Sequence, residues 1–313
     1  MKSGFAAILG PANVGKSTLL NALVGSKISI VSEKPQTTRE AIQGIVTRPH
    51  GQIVFVDSPG MHDPKLALGR RMRREIERAS AGCHVVILVA DASKPLRSVD
   101  RRAAEAVKRI GVPVLLVLNK IDVVKDKNEL LPRLDAYRSI HDFAEYVPLS
   151  ARTGYHVELL EKLIFDRLPE APAFYPDDYI TDQPERFLAA ELVRERVLHE
   201  THQEVPHSTA VLVDRWEESD KLLKISATVY VERDGQKRII VGKGGEMIKQ
   251  IGTLAREGLE ERFGRKVFLQ LFVKVTANWR DKAQFMKELD YYRFGGAGGL
   301  DEKAGGDDAP SVL

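Results

Sequence analysis

The sequence is poor in cysteine and in long hydrophobic runs, and each shortage excludes a class of protein. Cys83 is the single cysteine among 313 residues, which excludes an intramolecular disulfide framework and a zinc site built on several thiolates. The longest hydrophobic runs, residues 85–90 and 112–118, are far shorter than the roughly 18 residues that indicate a membrane-spanning helix. We therefore expect a cytoplasmic protein with no membrane span and no export signal.

Net charge is also small, because 47 Lys and Arg residues nearly balance 44 Asp and Glu residues and leave +3. This total does not identify a polyanionic partner, although it leaves room for a local basic patch. Hydrophobic residues make up 43% of the chain and charged residues 29%, which is typical of globular proteins. The length is enough for about two domains.

Short apolar runs alternate with helical patterns over residues 5–168, which predicts strands alternating with helices. The predicted strands cover residues 5–9, 42–46, 53–57, 85–91, 112–119 and 146–149, and the predicted helices cover residues 17–24, 71–79, 99–110, 128–140 and 157–168. Strands that are apolar throughout are typical of burial on both faces. We therefore expect an α/β domain with a mostly parallel sheet covered by helices on both faces.

A different order of elements follows a proline-rich segment. Three prolines within residues 169–176 exclude regular helix and sheet there and indicate a linker. Beyond it the pattern predicts a helix opening at Asp182 and Glu185, which have capping-box spacing, and then an α+β domain of order α-β-β-α-α-β-α. Its remaining predicted elements are strands over residues 209–216 and 222–232, a helix pair over 237–263, a strand over 266–275 and a short last helix. The predicted boundaries are a first domain at 1–170, a linker at 171–181, a second domain at 182–292 and a disordered acidic tail at 293–313.

A glycine-rich loop lies directly between the first predicted strand and the first predicted helix. Residues 10–17 match G-x-x-x-x-G-K-[ST], a loop whose N–H groups cradle phosphates. Lys16 would neutralise the β- and γ-phosphates, and the Ser17 hydroxyl would bind Mg²⁺. The predicted nucleotide-binding residues here are Gly10, Pro11, Ala12, Asn13, Val14, Gly15, Lys16, Ser17 and Thr18. The alternative is a plain glycine turn before a helix.

Three more motifs end the third, fifth and sixth predicted strands. They consist of Asp57, Ser58, Pro59, Gly60 and Met61, then Asn119, Lys120, Ile121 and Asp122, and finally Ser150, Ala151 and Arg152. Asp57 can hold a water of the Mg²⁺ shell, and the Gly60 N–H can reach a γ-phosphate. The Asp122 carboxylate can accept from N1–H and the amine of guanine, which adenine cannot match, and a backbone N–H after the sixth strand can meet the guanine O6. Each motif alone could be an ordinary cap or turn, but their order predicts GTP or GDP with Mg²⁺.

Together with Thr37, Thr38 and Arg39, these motifs resemble those of translation-factor-class GTPases. Within that class, Thr37, Thr38 and Arg39 are similar to the first switch of the Era and MnmE-like group. The resemblance implies GTP hydrolysis with catalytic roles for Lys16, Thr38, Asp57, Gly60 and Asn13. Thr38 would bind Mg²⁺ through its hydroxyl, and residues 58–82 would form a mobile switch. Asn13 would help to coordinate K⁺, the alternative being that Asn13 fits a turn of unusual backbone angle. Met61 stands where small Ras-like GTPases have a glutamine, and a thioether cannot orient water.

The second domain carries its own glycine loop, which consists of Gly242, Lys243, Gly244 and Gly245 and is followed by Lys249. Such a loop lets a sugar-phosphate backbone approach closely. Residues 237–282 contain 11 Lys and Arg against 5 Asp and Glu, a local excess that predicts a salt-dependent contact with a polyanion. Together with the loop, this excess predicts binding of single-stranded RNA. The alternative is a flexible turn between helices.

This domain resembles a KH domain of the second topology, and a GTPase domain followed by it is typical of the Era family. The likeness extends over about residues 3–290. It implies binding near the 3′ end of small-subunit (16S) ribosomal RNA during maturation of the 30S subunit, and it leaves peripheral contact with the cell membrane open. We expect a monomer. The alternatives are an RNA-binding protein with a merely structural nucleotide site and a membrane-associated signalling GTPase.

Overall fold

The computed structural model describes residues 1–31, 42–57, 80–201, 205 and 209–279. Several predictions concern other residues and so lie outside this part of the chain: the helix over 71–79, the last helix, the tail at 293–313, the Mg²⁺ ligand Thr38, and Ser58, Pro59, Gly60 and Met61. Within the described ranges, every helix is too short or too polar to cross a membrane.

The first domain is built on a six-stranded sheet with the order β2-β3-β1-β4-β5-β6. The strands are β1 (Lys2–Leu9), β2 (Ile42–Arg48), β3 (Gly51–Asp57), β4 (Val85–Asp91), β5 (Val114–Asn119) and β6 (Glu145–Pro148). Neighbouring strands pair in parallel except β2 and β3, which are antiparallel. The mostly parallel sheet is therefore confirmed, and the carboxyl ends of β1, β3, β4 and β5 meet at one edge.

Helices cover both faces of this sheet, as predicted. They are α1 (Lys16–Val24), α2 (Ser98–Val107), α3 (Leu130–Arg138) and α4 (Val157–Phe165). Leu20 of α1 and Leu160 of α4 are buried in the core on one face, whereas Val107 of α2 and Tyr137 of α3 are buried in the core on the other. Burial on both faces explains why strands such as β5 are apolar throughout.

The linker is fastened to the sheet of the first domain. Gln52, which is 0% exposed, accepts from the N–H groups of Phe174 and Tyr175 through Oε1, at 2.8 and 3.0 Å. Thr181 Oγ1 donates to the Gln43 carbonyl at 2.7 Å. Because the prolines leave this segment without a helix or strand of its own, its backbone groups bond to the first domain instead: the Gln52 side chain of β3 accepts from two of its N–H groups, and the Ile45 N–H of β2 donates to the Ile180 carbonyl at 2.9 Å.

The second domain contains α5 (Glu185–Glu200), β7 (Ala210–Glu218), β8 (Leu222–Val231), α6 (Asp234–Val241), α7 (Glu246–Phe263) and β9 (Lys266–Val275). The sheet order is β7-β8-β9, in which β8 pairs with β7 antiparallel and with β9 parallel. All three helices share one hydrophobic core with the same face of this sheet. This is the predicted α+β arrangement.

Two helix starts in the second domain differ from their prediction. The capping box at Asp182 is wrong, because α5 starts after Pro184 without a side-chain cap and Asp182 instead accepts from Gln183 Nε2. Helix α6 starts at Asp234, earlier than expected, because the Gln236 side chain accepts from the N–H groups of Glu232 and Arg233 at 3.0 Å each. In both cases the helix start is set by contacts that the hydrophobic period does not encode.

Candidate functional site

The loop between β1 and α1 closes around the Lys16 side chain. Lys16 Nζ donates to the carbonyl oxygens of Gly10 and Pro11 at 3.0 and 2.9 Å, so the ammonium lies inside the loop. Gly15 precedes α1 with φ of 96°, and a Cβ there would lie 2.3 Å from Asn119 Nδ2. Only glycine fits both conditions. The helix N-terminus and the lysine therefore face the same small space, as an anion site requires.

Lys16 and Asp57 are both buried, and burial disfavours the charged form of each. Desolvation lowers the pKa of Lys16 to about 8, although the Asp57 charge raises it in part. Desolvation raises the pKa of Asp57 to about 6, against the opposing effects of Lys16 and of the Ser17 hydrogen bond. The two groups do not fully compensate each other, so a bound phosphate would favour charged Lys16 and a bound cation would favour charged Asp57.

The predicted Mg²⁺ ligands of the described chain come together. Ser17 Oγ donates to Asp57 Oδ2 at 3.1 Å. Asp57 Oδ1 is buried and, among the described residues, has no hydrogen-bond partner. Mg²⁺ binds through hydroxyl, carboxylate and water oxygens, so a hydroxyl beside a buried carboxylate with a spare oxygen fits the ion and its water shell.

Asn119 ties three of the predicted motifs together. Its Nδ2 donates to the Val14 carbonyl at 2.9 Å, and its Oδ1 accepts from the N–H groups of Lys120 and Ala151 at 2.8 and 3.0 Å. Val14, Lys120 and Ala151 belong to three different predicted motifs. The asparagine thus fixes the phosphate loop relative to the loops that follow β5 and β6.

Lys120 reaches back across the same edge and brings in a residue that the sequence did not single out. Lys120 Nζ donates to the Asn13 carbonyl at 2.5 Å and to Asp91 Oδ2 at 3.0 Å. Burial raises the pKa of Asp91, but hydrogen bonds from Ser93 and Lys120 outweigh burial and hold it below its ordinary value. The signal for Asp91 was its place at the carboxyl end of a buried strand, the same edge as Asp57 and Asn119.

The loop after β6 packs against Asp122, the carboxylate predicted to bind guanine. Asp122 Oδ1 accepts from Ser150 Oγ at 2.7 Å, and Asp122 Oδ2 pairs with Arg152 Nη2 at 2.6 Å. Burial raises the pKa of Asp122, but the Ser150 and Arg152 interactions more than offset this and keep it below its ordinary value. Asp122 is therefore an ionised acceptor near neutral pH. The backbone N–H of Ser150 donates to Tyr155, and the contact between a loop N–H and guanine O6 stays a prediction.

Asn13 has φ of 62°, a left-handed conformation that asparagine tolerates better than most residues. This geometry favours the alternative in which Asn13 is placed by the turn. Coordination of K⁺ by its side chain stays a prediction, as do the roles of Thr38 and Gly60.

The second glycine loop joins α6 to α7. Gly242, Gly244 and Gly245 have φ of 74°, 61° and 82°, so the backbone turns tightly and α7 starts directly afterwards at Glu246. Lys243 and Lys249 are exposed on this side of the domain. The predicted loop residues are thus brought together at a helix N-terminus that faces solvent, which suits a phosphate backbone.

Comparisons with known proteins agree with a nucleotide site in the first domain and an RNA-binding loop in the second. A family model described as 50S ribosome-binding GTPase matches residues 5–120, and one described as KH domain matches residues 204–280. A variant of Aquifex aeolicus Era bound to GDP·AlF4− is similar to this chain with a TM-score of 0.86 and 39% identity, over 93% of this chain and 99% of that one. Era in complex with MgGDPNP and nucleotides 1506–1542 of 16S ribosomal RNA matches with the same TM-score of 0.86, 39% identity and coverage of 93% and 99%.

These similarities extend over both domains and over nearly the whole length of the solved chains. They confirm the expected fold, in which a P-loop GTPase domain is followed by a KH domain, and they agree with the nucleotide motifs and the glycine loop described above. The chain therefore belongs to the Era family and is a GTP-hydrolysing enzyme that carries a KH domain.

Proposed function

We propose that this protein binds the 3′ end of small-subunit ribosomal RNA through its KH domain under the control of GTP, and that it acts in maturation of the 30S subunit. The observation that carries the proposal is the exposed loop of Gly242, Lys243, Gly244 and Gly245 at the start of α7, in a chain 39% identical to an Era protein solved with 16S ribosomal RNA. A loop of this form clamps about four nucleotides of a single strand.

The small subunit is favoured over the large one for a specific reason. The description that names the 50S ribosome belongs to a model that matches only residues 5–120, within the first domain. The Era structure that contains 16S RNA matches 93% of this chain and so includes the KH domain. Because the loop that suits RNA lies in the KH domain, the whole-chain similarity supports the small-subunit partner.

The residues of the first domain support GTP hydrolysis by positioning and charge rather than by a nucleophilic side chain. Lys16 would neutralise developing phosphate charge, and Ser17 and Asp57 would hold Mg²⁺ and its water. The bound ion supplies charge neutralisation at the β- and γ-phosphates. Asp122 would accept from guanine, and Asn119 keeps the phosphate loop and the base loop in register.

The experiment compares the affinity for a short single-stranded RNA that copies the 3′ end of 16S RNA, with the full chain saturated with GDP or with a non-hydrolysable GTP analogue. The test variant is Gly244→Asp. A Cβ at Gly244 meets nothing within 4 Å, so an aspartate fits there and opposes a phosphate. Gly242 is unsuitable, because a Cβ there would lie 2.6 Å from Met247 Cβ.

A matched control is available at the other end of the same helix. Gly264 has φ of 64°, against 61° for Gly244, and also meets nothing within 4 Å. Gly264→Asp therefore introduces the same charge and the same backbone strain far from the loop. We expect tighter binding in the GTP-analogue form, a loss of about tenfold or more in Gly244→Asp and little change in Gly264→Asp. Equal losses in both variants, or equal affinity in both nucleotide forms, would contradict the proposal.

Cytoplasmic location, peripheral contact with the cell membrane and a monomeric state also remain predictions. Co-sedimentation with anionic vesicles tests the membrane contact, and sedimentation velocity at several protein concentrations tests the monomer. Replacement of K⁺ by Na⁺ in the GTPase assay tests the predicted role of Asn13.

A further inference from the structure

The carboxyl end of β4 carries a buried carboxylate that lies outside the predicted nucleotide motifs. Asp91 is the last residue of β4 and is 6% exposed. The register pairs Asp91 with Asn119 of β5, and the N–H of the following residue, Ala92, donates to the Asn119 carbonyl at 2.7 Å. The sheet therefore fixes the backbone of Asp91 at the edge where the nucleotide motifs meet.

The two oxygens of this carboxylate have different partners. Asp91 Oδ1 accepts from the N–H and the hydroxyl of Ser93 at 3.0 and 2.6 Å, which fixes the orientation of the group. Asp91 Oδ2 accepts from Lys120 Nζ at 3.0 Å and lies 3.8 Å from Lys94 Nζ. Burial raises the pKa of Asp91, but the hydrogen bonds from Ser93 and Lys120 outweigh burial, so the carboxylate is ionised near neutral pH.

The Lys120 side chain extends from this carboxylate to the phosphate loop. Lys120 Nζ donates to the Asn13 carbonyl at 2.5 Å as well as to Asp91. A Cβ at Gly15 would lie 3.9 Å from Lys120 Cε, so the aliphatic part of the lysine passes close to the loop. Among the described residues, Asp91 is the one carboxylate within 4 Å of Lys120 Nζ. One ammonium therefore joins the end of β4 to the phosphate loop.

This lysine lies between the two ends of the predicted ligand. The phosphates are predicted at residues 10–17 and the guanine at Asp122, which is two residues after Lys120. Because the Lys120 ammonium reaches Asn13, its side chain spans the gap between the base loop and the phosphate loop. A nucleotide leaves its site when such loops move apart, so a bond that ties them together opposes its release.

The alternative is an ordinary ion pair that only stabilises the fold. Two observations favour a role in nucleotide binding instead. The lysine belongs to the predicted base motif, and its second bond is to the predicted phosphate motif. A charged acceptor holds an ammonium more strongly than a neutral carbonyl does, so Asp91 limits the freedom of Lys120 to turn away from Asn13.

We infer that Asp91 is a positioning residue of the nucleotide site, which acts through Lys120 on the phosphate loop and slows the release of bound GDP. Asn119 joins the same loops through its buried amide. The pair of Asp91 and Lys120 adds a charged link nearer to solvent, where the Lys120 side chain is 34% exposed. The inference rests on nucleotide binding by the first domain and does not depend on the proposed binding of RNA.

The test measures the rate at which the full chain, with Mg²⁺ and without RNA, releases fluorescent methylanthraniloyl-GDP after addition of excess unlabelled GDP. The test variant is Asp91→Asn, which keeps the size of the side chain and removes its charge. Asp100→Asn is the matched control. Asp100 is 3% exposed, and its carboxylate accepts from the N–H and the guanidinium of Arg97, at the start of the same helix, at 3.0 and 2.7 Å.

We expect Asp91→Asn to release GDP about tenfold to a hundredfold faster than the unsubstituted chain, as loss of a hydrogen bond between charged groups predicts. Asp100→Asn should release GDP at the unsubstituted rate. An unchanged rate in Asp91→Asn would overturn the inference. Equal acceleration in Asp100→Asn would also overturn it, because a general loosening of the domain would then explain both results.

A double-mutant cycle separates positioning from a merely structural role. Lys120→Met removes the ammonium and should by itself speed the release of GDP. Adding Asp91→Asn to Lys120→Met should then speed release by no more than about twofold, because the carboxylate no longer has this lysine to hold. If the two single effects multiplied in the double variant, Asp91 would not act through Lys120 and the inference would fail.

Ser93→Ala provides a second variant in case Asp91→Asn does not fold. This substitution keeps the carboxylate and removes the hydroxyl that helps to orient it. We expect release to be about twofold to tenfold faster, as loss of one hydrogen bond predicts, and we expect this effect to disappear in the Lys120→Met background. Equal rates in Ser93→Ala and the unsubstituted chain would count against the inference.

Discussion

At the residue scale, the predicted nucleotide site contains two charged groups, Lys16 and Asp57, that folding has removed from water. Lys16 and Asp57 are each in an environment that disfavours their charged forms. Asp122, by contrast, is kept ionised by Ser150 and Arg152. In this site, a bound ion would stabilise the charged forms of Lys16 and Asp57, whereas Asp122 is already ionised and can accept hydrogen bonds.

The first prediction concerns the pH dependence of stability without nucleotide. Asp57 has a pKa of about 6 in the folded protein, above its ordinary value of 3.8. Its contribution to the free energy of unfolding is therefore full below pH 3.8 and is lost as pH rises through 6. Lys16 has a pKa of about 8 in the folded protein, below its ordinary value of 10.5. Its contribution to the free energy of unfolding is therefore full above pH 10.5 and is lost as pH falls through 8. We expect the free energy of unfolding, measured with urea, to fall between about pH 4 and 6 and to rise between about pH 8 and 10.5.

Two comparisons check the origin of this profile. Asp57→Asn should remove the fall at acidic pH, and Lys16→Met should remove the rise at alkaline pH. Saturation with GDP and Mg²⁺ should flatten both regions, because the ligands stabilise the charged forms. A profile in the unsubstituted chain that is flat in both regions would contradict the prediction.

The second prediction concerns base recognition. Asp122→Asn replaces an acceptor with a side chain that also donates, so we expect affinity for GDP to fall by about tenfold to a hundredfold, as loss of a charged hydrogen bond predicts, and affinity for xanthosine diphosphate to rise. Competition binding measures both. Asp126→Asn is the control, since Asp126 lies four residues further along the chain and accepts from the Asn128 N–H at 3.0 Å. Unchanged guanine preference in Asp122→Asn would contradict the assignment.

At the element scale, two glycines of the loop before α7, Gly242 and Gly244, differ in their surroundings. Gly242 is a packing position, because a Cβ would collide with Met247, whereas Gly244 faces open space. The loop therefore combines a residue that docks α7 on α6 with one that is exposed for contact. Sequence alone presents both as members of one motif.

The third prediction follows from that difference. Gly242→Ala should destabilise the KH domain by about 2 kcal/mol or more, because backbone strain and overpacking add. Gly244→Ala should cost only about 1–2 kcal/mol, because backbone strain acts alone. Thermal denaturation of the two variants measures the difference. Equal destabilisation would mean that the loop relaxes around Gly242.

At the scale of the whole molecule, a short segment of the first domain is held by helices of the second. Glu195, whose side chain is 2% exposed, accepts from Lys27 Nζ at 2.5 Å and from the Val31 N–H at 3.0 Å. His199 Nε2 lies 2.9 Å from the Val31 carbonyl oxygen, and Arg262 Nη1 donates to Ser26 Oγ at 2.9 Å. These contacts are polar, as is typical of interfaces between domains that change their relative position.

The fourth prediction concerns this contact. Glu195→Ala leaves the Val31 N–H and Lys27 without their acceptor, so we expect the domain contact to weaken by about 1–3 kcal/mol and thermal unfolding of the two domains to separate in calorimetry. Glu191→Ala is the control, because Glu191 pairs with Arg194 of the same helix at 2.6 Å. Identical behaviour of the two variants would show that Glu195 does not couple the domains.

Much of the fold and site could be predicted because it is encoded locally. Hydrophobic period predicted β4 and β9 with the bounds that the structure has, and fixed spacing predicted the phosphate loop, since one strand, one turn and one helix complete it. The prediction of a capping box at Asp182 was wrong, because the neighbouring Thr181 bonds to the first domain and this contact positions the chain before the helix. Local patterns cannot include partners that are distant in sequence.

The sequence by itself determined the order of the two domains, the nucleotide motifs and the glycine loop, because each depends on residues close together in the chain. Only the tertiary structure decided that Asp91 joins Lys120, that Glu195 holds Lys27, and that Phe268 and Phe272 face solvent. Alternation along a strand shows that successive side chains take opposite faces, but the packing of helices decides which face is buried.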